Sequence, residues 1–236
     1  MIDWSRPDAY FSSGEDAFRA IRKGLDAAGI GHPSRLLDLP CGHGRVMRYM
    51  HAAWPDCHLV ACELLSDGVE FCATAFEAEP ILSQEPVWDA DIGDGYDLIW
   101  SGSLLTHLPA EAWEPALRHL CSALAPRGVL IFTTHGRLPL ALLRDEPDAL
   151  AYLGPCVPAR YGLTEQAAKM IVASVEDSGF GYAPYPGADK GDYGLSISLP
   201  EWLERRLATL GLPLVRADEG GWGGHQDVWT VSAPDS

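Results

Sequence analysis

Apolar and polar positions along this chain fall into two alternating periods. Leu36 to Leu39 is a short apolar run that contains Asp38 and stops at Pro40. After it, Val46, Met47, Met50 and Trp54 recur at helical spacing. With Gly42-His43-Gly44 between them, the pattern predicts a buried strand, a tight glycine turn and a helix over 45–54. The same unit then repeats. His58 to Glu63 reads as strand two, and Asp67 to Glu77 as a helix with Val69, Cys72, Ala73 and Phe76 on one face. Glu79 to Ser83 is a weak third strand whose Pro80 suits a sheet edge or a strand start. A polar loop over 84–95 leads to strand four, Tyr96 to Trp100. Pro109 opens a helix running to about Ala125, with Trp113, Leu117, Leu120 and Leu124 inward. Pro126-Arg-Gly128 ends it, and Val129 to Thr134 is strand five. Ahead of strand one, Ser13-Gly-Glu-Asp16 resembles a capping box. It opens a helix with Phe18, Ile21, Leu25 and Ala28 on one face, ending at Gly29. Strands alternating with helices imply a parallel sheet with right-handed crossovers.

The pattern changes after strand five. Residues 136–200 hold one clear helix, about Thr164 to Ser178, followed by a Gly-, Pro- and Tyr-rich stretch over 179–194. That stretch is too long for a plain connection, so it reads as a lid over a substrate. Pro200 to Leu210 is a further helix. Leu212 to Ala217 and Val228 to Val231 are a final strand pair around the glycine-rich segment 218–227. The chain divides into a cap helix (1–33), a cofactor-binding core (34–135), a lid or substrate insertion (136–200) and a C-terminal helix with strand pair (201–236), all within one domain.

Composition narrows the partners. Hydrophobic residues make up 47% of the 236, enough for a substantial core. The formal net charge is −16, with 33 acidic residues against 17 basic ones, so phosphate backbones and anionic lipid are repelled and nucleic acid is disfavoured as substrate. No apolar run is long enough to span a bilayer, and the N-terminus lacks the basic-then-apolar pattern of a signal peptide. Cys41, Cys57, Cys62, Cys72, Cys121 and Cys156 are scattered without a C-x-x-C pair, which fits a reducing cytoplasm and no structural zinc. No exposed apolar stripe points to an oligomeric state.

The glycine turn supplies the first chemistry. Glycines let a backbone approach a ligand closely, and the helix N-terminus behind them favours polar or anionic groups. A dinucleotide fingerprint needs a third glycine where Met47 stands, which argues against a nicotinamide oxidoreductase. Glu63, at the end of strand two and 21 residues after Gly42, is placed to accept hydrogen bonds from ribose hydroxyls.

The set Leu-Leu-Asp-Leu-x-Cys-Gly-x-Gly followed by a strand-end acid resembles the class I S-adenosylmethionine-dependent methyltransferases. Tyr-Asp-Leu-Ile-Trp-Ser-Gly-Ser-Leu-Leu-Thr-His-Leu-Pro looks like the family's strand-four motif. Pro-Arg-Gly-Val-Leu-Ile-Phe-Thr-Thr-His-Gly looks like its strand-five motif. The likeness covers about residues 34–136 and is nearest to a bacterial subgroup with Cys-Gly-His-Gly-Arg in the first motif. It implies an α/β, Rossmann-like doubly wound fold: a mostly parallel seven-stranded sheet with an antiparallel last strand and a lid insertion after strand five.

The resemblance also assigns roles. Glu63 would bind the ribose, and the backbone around Gly42, Gly44 and Ser101 the methionine portion. Asp38 would favour the ligand's ammonium group. Pro40 stands where the family has its first glycine. Leu64, next to Glu63, is a further cofactor-binding candidate, and Ser83 falls where the adenine contact is expected, with Asp89 and Asp91 as rivals. The implied cofactor is S-adenosyl-L-methionine, leaving as S-adenosyl-L-homocysteine. Methyl transfer to a hydroxyl needs a proton acceptor, and His107, His135 and His225 lie near the strand rim. His225 and Asp227 would share one face of a strand, with Gln226 opposite. Tyr182, Tyr185, Tyr193, Trp222 and Asp227 are candidates for the substrate pocket. Ser101 stands where magnesium-dependent relatives place an acid, so no metal is expected. The acceptor is expected to be a small molecule or sugar-type hydroxyl. An amine acceptor, or cofactor binding without catalysis, are the alternatives.

Overall fold

The computed structural model of the chain describes residues 7–145, 163–187 and 193–233. Its elements run α1 (Pro7–Ala28), β1 (Arg35–Asp38), α2 (Met47–Ala53), β2 (His58–Glu63), α3 (Ser66–Phe76), β3 (Glu79–Leu82), β4 (Tyr96–Ser101), α4 (Ala110–Ser122) and β5 (Leu124–His135). Then follow α5 (Arg137–Asp145), α6 (Glu165–Ser178), β6 (Phe180–Pro184), β7 (Gly194–Ser198), α7 (Pro200–Leu210), β8 (Leu214–Trp222) and β9 (Gln226–Ser232). Seven strands form one sheet in the order β3-β2-β1-β4-β5-β9-β8. The pairs from β3 through β5 are parallel, and β9 runs antiparallel to both of its neighbours. This is a Rossmann-like sheet with an antiparallel last strand. Its order reverses between β1 and β4, and such a switch point opens a crevice beyond the strands' carboxyl ends.

The central strands are nearly continuous apolar runs because both of their faces are covered. Period-two alternation sends Leu37, Ile99, Leu130 and Phe132 into one cluster with Trp113, Leu117 and Leu120 of α4 and Leu203 of α7. Leu36, Leu98 and Ile131 go to the other face, against Ile21 and Leu25 of α1 and Met47 and Met50 of α2. A third cluster lies in the insertion, where Ile171 and Val175 of α6 pack on Leu195 and Ile197 of β7. Pro80 lies on the edge strand β3, where its missing N–H leaves the ladder intact.

Several boundaries differ from the sequence expectation. α1 begins at Pro7, so Ser13 is interior and no capping box forms there. The reason is tertiary: the Arg48 guanidinium lies 5.0 Å from the Tyr10 ring and 4.9 Å from the Phe11 ring, which holds the early turns helical. α4 stops at Ser122 and β5 begins at Leu124, because the Tyr96 N–H donates to Ala123 O (3.1 Å) and pairs the two segments early. The stretch 179–194, expected as an irregular lid, contains β6 and leads into β7, which pairs antiparallel with it, and 136–200 holds a helix (α5) besides α6. The segment 218–227 is a strand hairpin whose turn is confined to Gly223-Gly224-His225. Gly220, at φ +62°, absorbs the irregularity in β8 that its glycines had suggested was loop.

Candidate active site

The turn after β1 is built on two glycines in the left-handed region, Gly42 at φ +51° and Gly44 at φ +66°. A Cβ on Gly44 would stand 2.3 Å from the Phe76 ring, so that position admits no side chain. A Cβ on Gly42 would meet nothing within 4 Å, so its outer face is open to a ligand. Glu63, at the tip of β2, braces this turn. Its Oε2 accepts from the Gly42 N–H at 2.9 Å and its Oε1 from the Leu64 N–H at 2.7 Å. Each oxygen has a second lone pair, so the carboxylate keeps capacity for two more donors such as a vicinal diol. The Leu64 side chain is exposed next to it, and Ser83 is tied to the same tip by its N–H on Glu63 O (2.8 Å).

Asp38 is buried at the end of β1, and its Oδ2 has no partner among the described residues. Burial pushes its carboxyl well above the usual range; the nearby Arg45 charge opposes the shift and Glu63 reinforces it. A buried acid with a vacant oxygen fits an incoming cation. Pro40 follows it after a cis peptide bond. Asp38 registers with Trp100 on β4, so Ser101 and its buried, unpartnered Oγ stand beside this acid. Glu63 and Asp38 thus stand at the tips of β2 and β1, next to β4, where the strand order reverses.

Beyond β4 and β5 lie the histidines. β7 aligns two of them through alternate carbonyls: His107 Nδ1 is 2.9 Å from Gly194 O, and His135 Nδ1 is 3.2 Å from Ser196 O. A carbonyl only accepts, so each neutral ring carries its proton on Nδ1 and its lone pair on Nε2. Burial pushes His135 down to about 3, helped by the neighbouring His107 and His225, and burial also lowers His107. Both rings are neutral at neutral pH. His107 is surrounded by Tyr193 (ring centroids 4.9 Å apart) and Tyr185 (5.8 Å), and the Tyr185 hydroxyl lies 3.1 Å from His107 Nδ1. Tyr182 packs on the core cluster below.

Three candidates stand elsewhere than expected. His225 sits in the hairpin turn with Nδ1 3.0 Å from Gly223 O, while Asp227 Oδ1 accepts from the Gly220 N–H at 2.8 Å. The two are therefore not paired, because a turn residue does not follow strand alternation. Asp227 is buried against Gly136, its Oδ2 is unpartnered among the described residues, and burial pushes it up to about 6. Trp222 is buried beneath α1, donating from Nε1 to Ser13 O at 2.9 Å, and packs on Trp100.

A buried network joins three tips. The Thr133 hydroxyl donates to Gln226 Oε1 (2.6 Å), Gln226 Nε2 donates to Ser103 Oγ (2.9 Å), and the Ser103 N–H donates to Thr133 Oγ1 (2.8 Å). Sequence reasoning brings Ser103 and Gln226 to the rim without a role for either and passes over Thr133. The available signal was the polar run Thr133-Thr134-His135 closing a buried strand, since buried polar groups require partners. Among the described residues no group of three or more His, Cys, Asp or Glu could hold a metal ion, and no helix is long and apolar enough to cross a membrane.

Known proteins share this architecture. A methyltransferase from Clostridium acetobutylicum, described as S-adenosylmethionine-dependent, superposes with a TM-score of 0.59 at 12% identity, covering 94% of this chain and 92% of that one. The 1,6-didemethyltoxoflavin-N1-methyltransferase of Burkholderia thailandensis, solved with S-adenosylhomocysteine, does so at 0.59 and 15% identity, covering 98% of this chain and 87% of that one. In sequence, the chain is 25% identical over 154 residues to a malonyl-[acyl-carrier protein] O-methyltransferase of Acetivibrio thermocellus; the match spans 61% of this chain and 54% of that relative's length. Residues 13–166, more than half of the chain, match the family described as methyltransferase domain. The chain belongs to that methyltransferase family.

Proposed function

We propose that this protein transfers a methyl group from S-adenosyl-L-methionine to a hydroxyl of a small or sugar-type molecule. When bound, the cofactor supplies an electrophilic methyl group on a positively charged sulfur. The residues present fit it. Glu63 retains acceptor capacity for the ribose diol, the open face of Gly42 admits a close approach, and the vacant Asp38 oxygen gives the ammonium group a counter-charge. Leu64 and Ser83 flank the adenine position, and Ser101 with Gly42 and Gly44 holds the methionine portion. Within the insertion, the described residues 136–145, 163–187 and 193–200 would cover the acceptor, with Tyr185 and Tyr193 beside His107 and Tyr182 packed on the core.

The observation that carries the hydroxyl reading is the contact of His135 Nδ1 with Ser196 O at 3.2 Å, which assigns the ring proton to Nδ1. With Nδ1–H committed to Ser196 O and its pKa pushed down to about 3 by burial, the ring offers its Nε2 lone pair and no charge. A hydroxyl must shed its proton as it attacks and can pass it to such a lone pair, whereas a neutral amine attacks with a lone pair already free and does not depend on an acceptor at that step. His107 is the second acceptor of this kind. His225 lies in the hairpin turn with Nδ1 3.0 Å from Gly223 O and is assigned no proton-transfer role. The Acetivibrio relative is likewise an O-methyltransferase, although this chain spans only 54% of its length. The test has two arms. Titration with S-adenosylhomocysteine should show micromolar binding that Glu63→Ala abolishes. A panel of hydroxyl and amine acceptors with labelled cofactor should then show transfer to hydroxyls, and turnover confined to amines would replace this reading with N-methylation.

A further inference from the structure

We propose that Gln226 is a positioning residue that fixes the Ser101–Ser103 turn against the amino-acid end of the bound cofactor. The inference rests on the cofactor reading above and adds a residue far from the family's cofactor motifs. The turn begins beside Asp38, since Asp38 registers with Trp100 and the Leu39 N–H donates to Trp100 O at 3.0 Å. It then takes an unusual path, because Ser103 is a non-glycine residue at φ +62°. A side chain there costs about 1 kcal/mol or more and persists only where surrounding contacts over-determine it.

Those contacts occupy every polar group of Ser103. Its N–H donates to Thr133 Oγ1 (2.8 Å), its Oγ accepts from Gln226 Nε2 (2.9 Å), and its carbonyl accepts from the Thr106 hydroxyl (2.9 Å). Gln226 is the hub, because its Oε1 also accepts from the Thr133 hydroxyl at 2.6 Å. It is 5% exposed, and it is brought to β5 by the register His135↔Gln226. The chain thus spans 123 residues to clamp a three-residue turn. Ser101 Oγ, buried and unpartnered among the described residues, stands at the free side of the same turn. A shift of the clamp moves Ser101 and Gly102 relative to Asp38 and leaves Glu63, two strands away on β2, untouched.

That asymmetry gives the test. The purified full chain is titrated with S-adenosylhomocysteine and, separately, with 5′-methylthioadenosine, which keeps the nucleoside and thioether but lacks the amino-acid end. Gln226→Met should weaken S-adenosylhomocysteine tenfold or more while 5′-methylthioadenosine stays within about twofold. Thr133→Val should repeat the pattern, and Thr133→Ser, which keeps the hydroxyl, should restore it. If Gln226→Met does not fold, Ser103→Ala removes the other end of the clamp and must show the same selective loss. Equal weakening of both ligands, no weakening of either, or no difference between Thr133→Ser and Thr133→Val overturns the proposal. A wild-type chain that binds neither ligand overturns the cofactor reading itself, and this inference with it.

Discussion

At the scale of single residues, two buried titratable groups give the protein opposite pH dependences. His135 has its pKa pushed down to about 3 in the fold, against about 6.5 when unfolded. The folded state therefore binds its proton less tightly. Stability is full above pH 6.5 and is lost as pH falls below it, by roughly 2.5 kcal/mol between pH 6.5 and 4.5 at 1.36 kcal/mol per unit. His135→Gln, whose amide can still donate to Ser196 O, should lack that acid loss in urea midpoints; an unchanged loss would show that another group causes it. A ring this weakly basic also places no limb near pH 6.5 in the rate of methyl transfer, which a pH–kcat profile checks directly. Asp227 works the other way. Its pKa is raised to about 6 from about 3.9, so the cost of its buried charge is absent below pH 4 and complete above about pH 6. Allowing for residual solvent, this amounts to about 1–2 kcal/mol. Asp227→Asn should raise stability at pH 8 relative to its own value at pH 4 when each is referred to wild type. A constant difference across that range would exclude the carboxyl as the source.

At the scale of elements, α1 and the glycine turn act as one piece. The Tyr10 hydroxyl donates to His43 O at 2.6 Å, and a Cβ added at Gly14 would stand 1.9 Å from Arg45 O. Two effects compete in Gly14→Ala. Alanine favours the helix by about 1 kcal/mol. Against it, a backbone oxygen cannot rotate away, so α1 must move off the turn, at about 1–3 kcal/mol for overpacking. The clash is expected to win, giving a lower urea midpoint and weaker S-adenosylhomocysteine binding; a more stable variant would mean that α1 docks loosely. Elements whose cause is local were legible from sequence. The apolar run at Leu36, the glycines after it and the Met47–Met50 face lie within twenty residues, and the strand-turn-helix reading follows from them alone. Thr164 and Pro200 announced α6 and α7 for the same reason, as cap and first-turn residues. Elements with distant causes were misread. The early turns of α1 depend on Arg48, the start of β5 depends on Tyr96, and Gly220 looked like loop because its bulge exists only against β9. Within the site, the glycine turn and Glu63 were visible as a motif. The Ser103–Thr133–Gln226 clamp was not, because no local pattern links positions 93 and 123 residues apart.

At the scale of the whole molecule, charge is the term that neither motif nor fold controls. The formal net charge is −16, and the 33 acidic residues outnumber the bases almost two to one. The ion pairs among the described residues, such as Arg118–Glu114 and Lys169–Glu165, are largely solvent-exposed. Each contributes about 0–1 kcal/mol, whereas self-repulsion acts among all the uncompensated acids at once. Salt weakens both, but not equally. At about 10 mM ionic strength the screening length is about 30 Å, long enough for acids across a domain to repel; at 0.1 M it is about 10 Å. The long-range repulsion is therefore screened first, and contact pairs a few ångströms apart later. The thermal midpoint should rise as sodium chloride goes from 10 to 200 mM at pH 7.5, and rise less at pH 5, where protonation has already removed part of the charge. A midpoint that falls over that range would mean that paired charges outweigh the excess. The same field bears on the acceptor. Anionic acceptors should be turned over more slowly at low salt and gain in kcat/KM as salt is added. Neutral hydroxyl acceptors should show no such gain, so the salt slope of kcat/KM reports the charge of the natural acceptor before its structure is known.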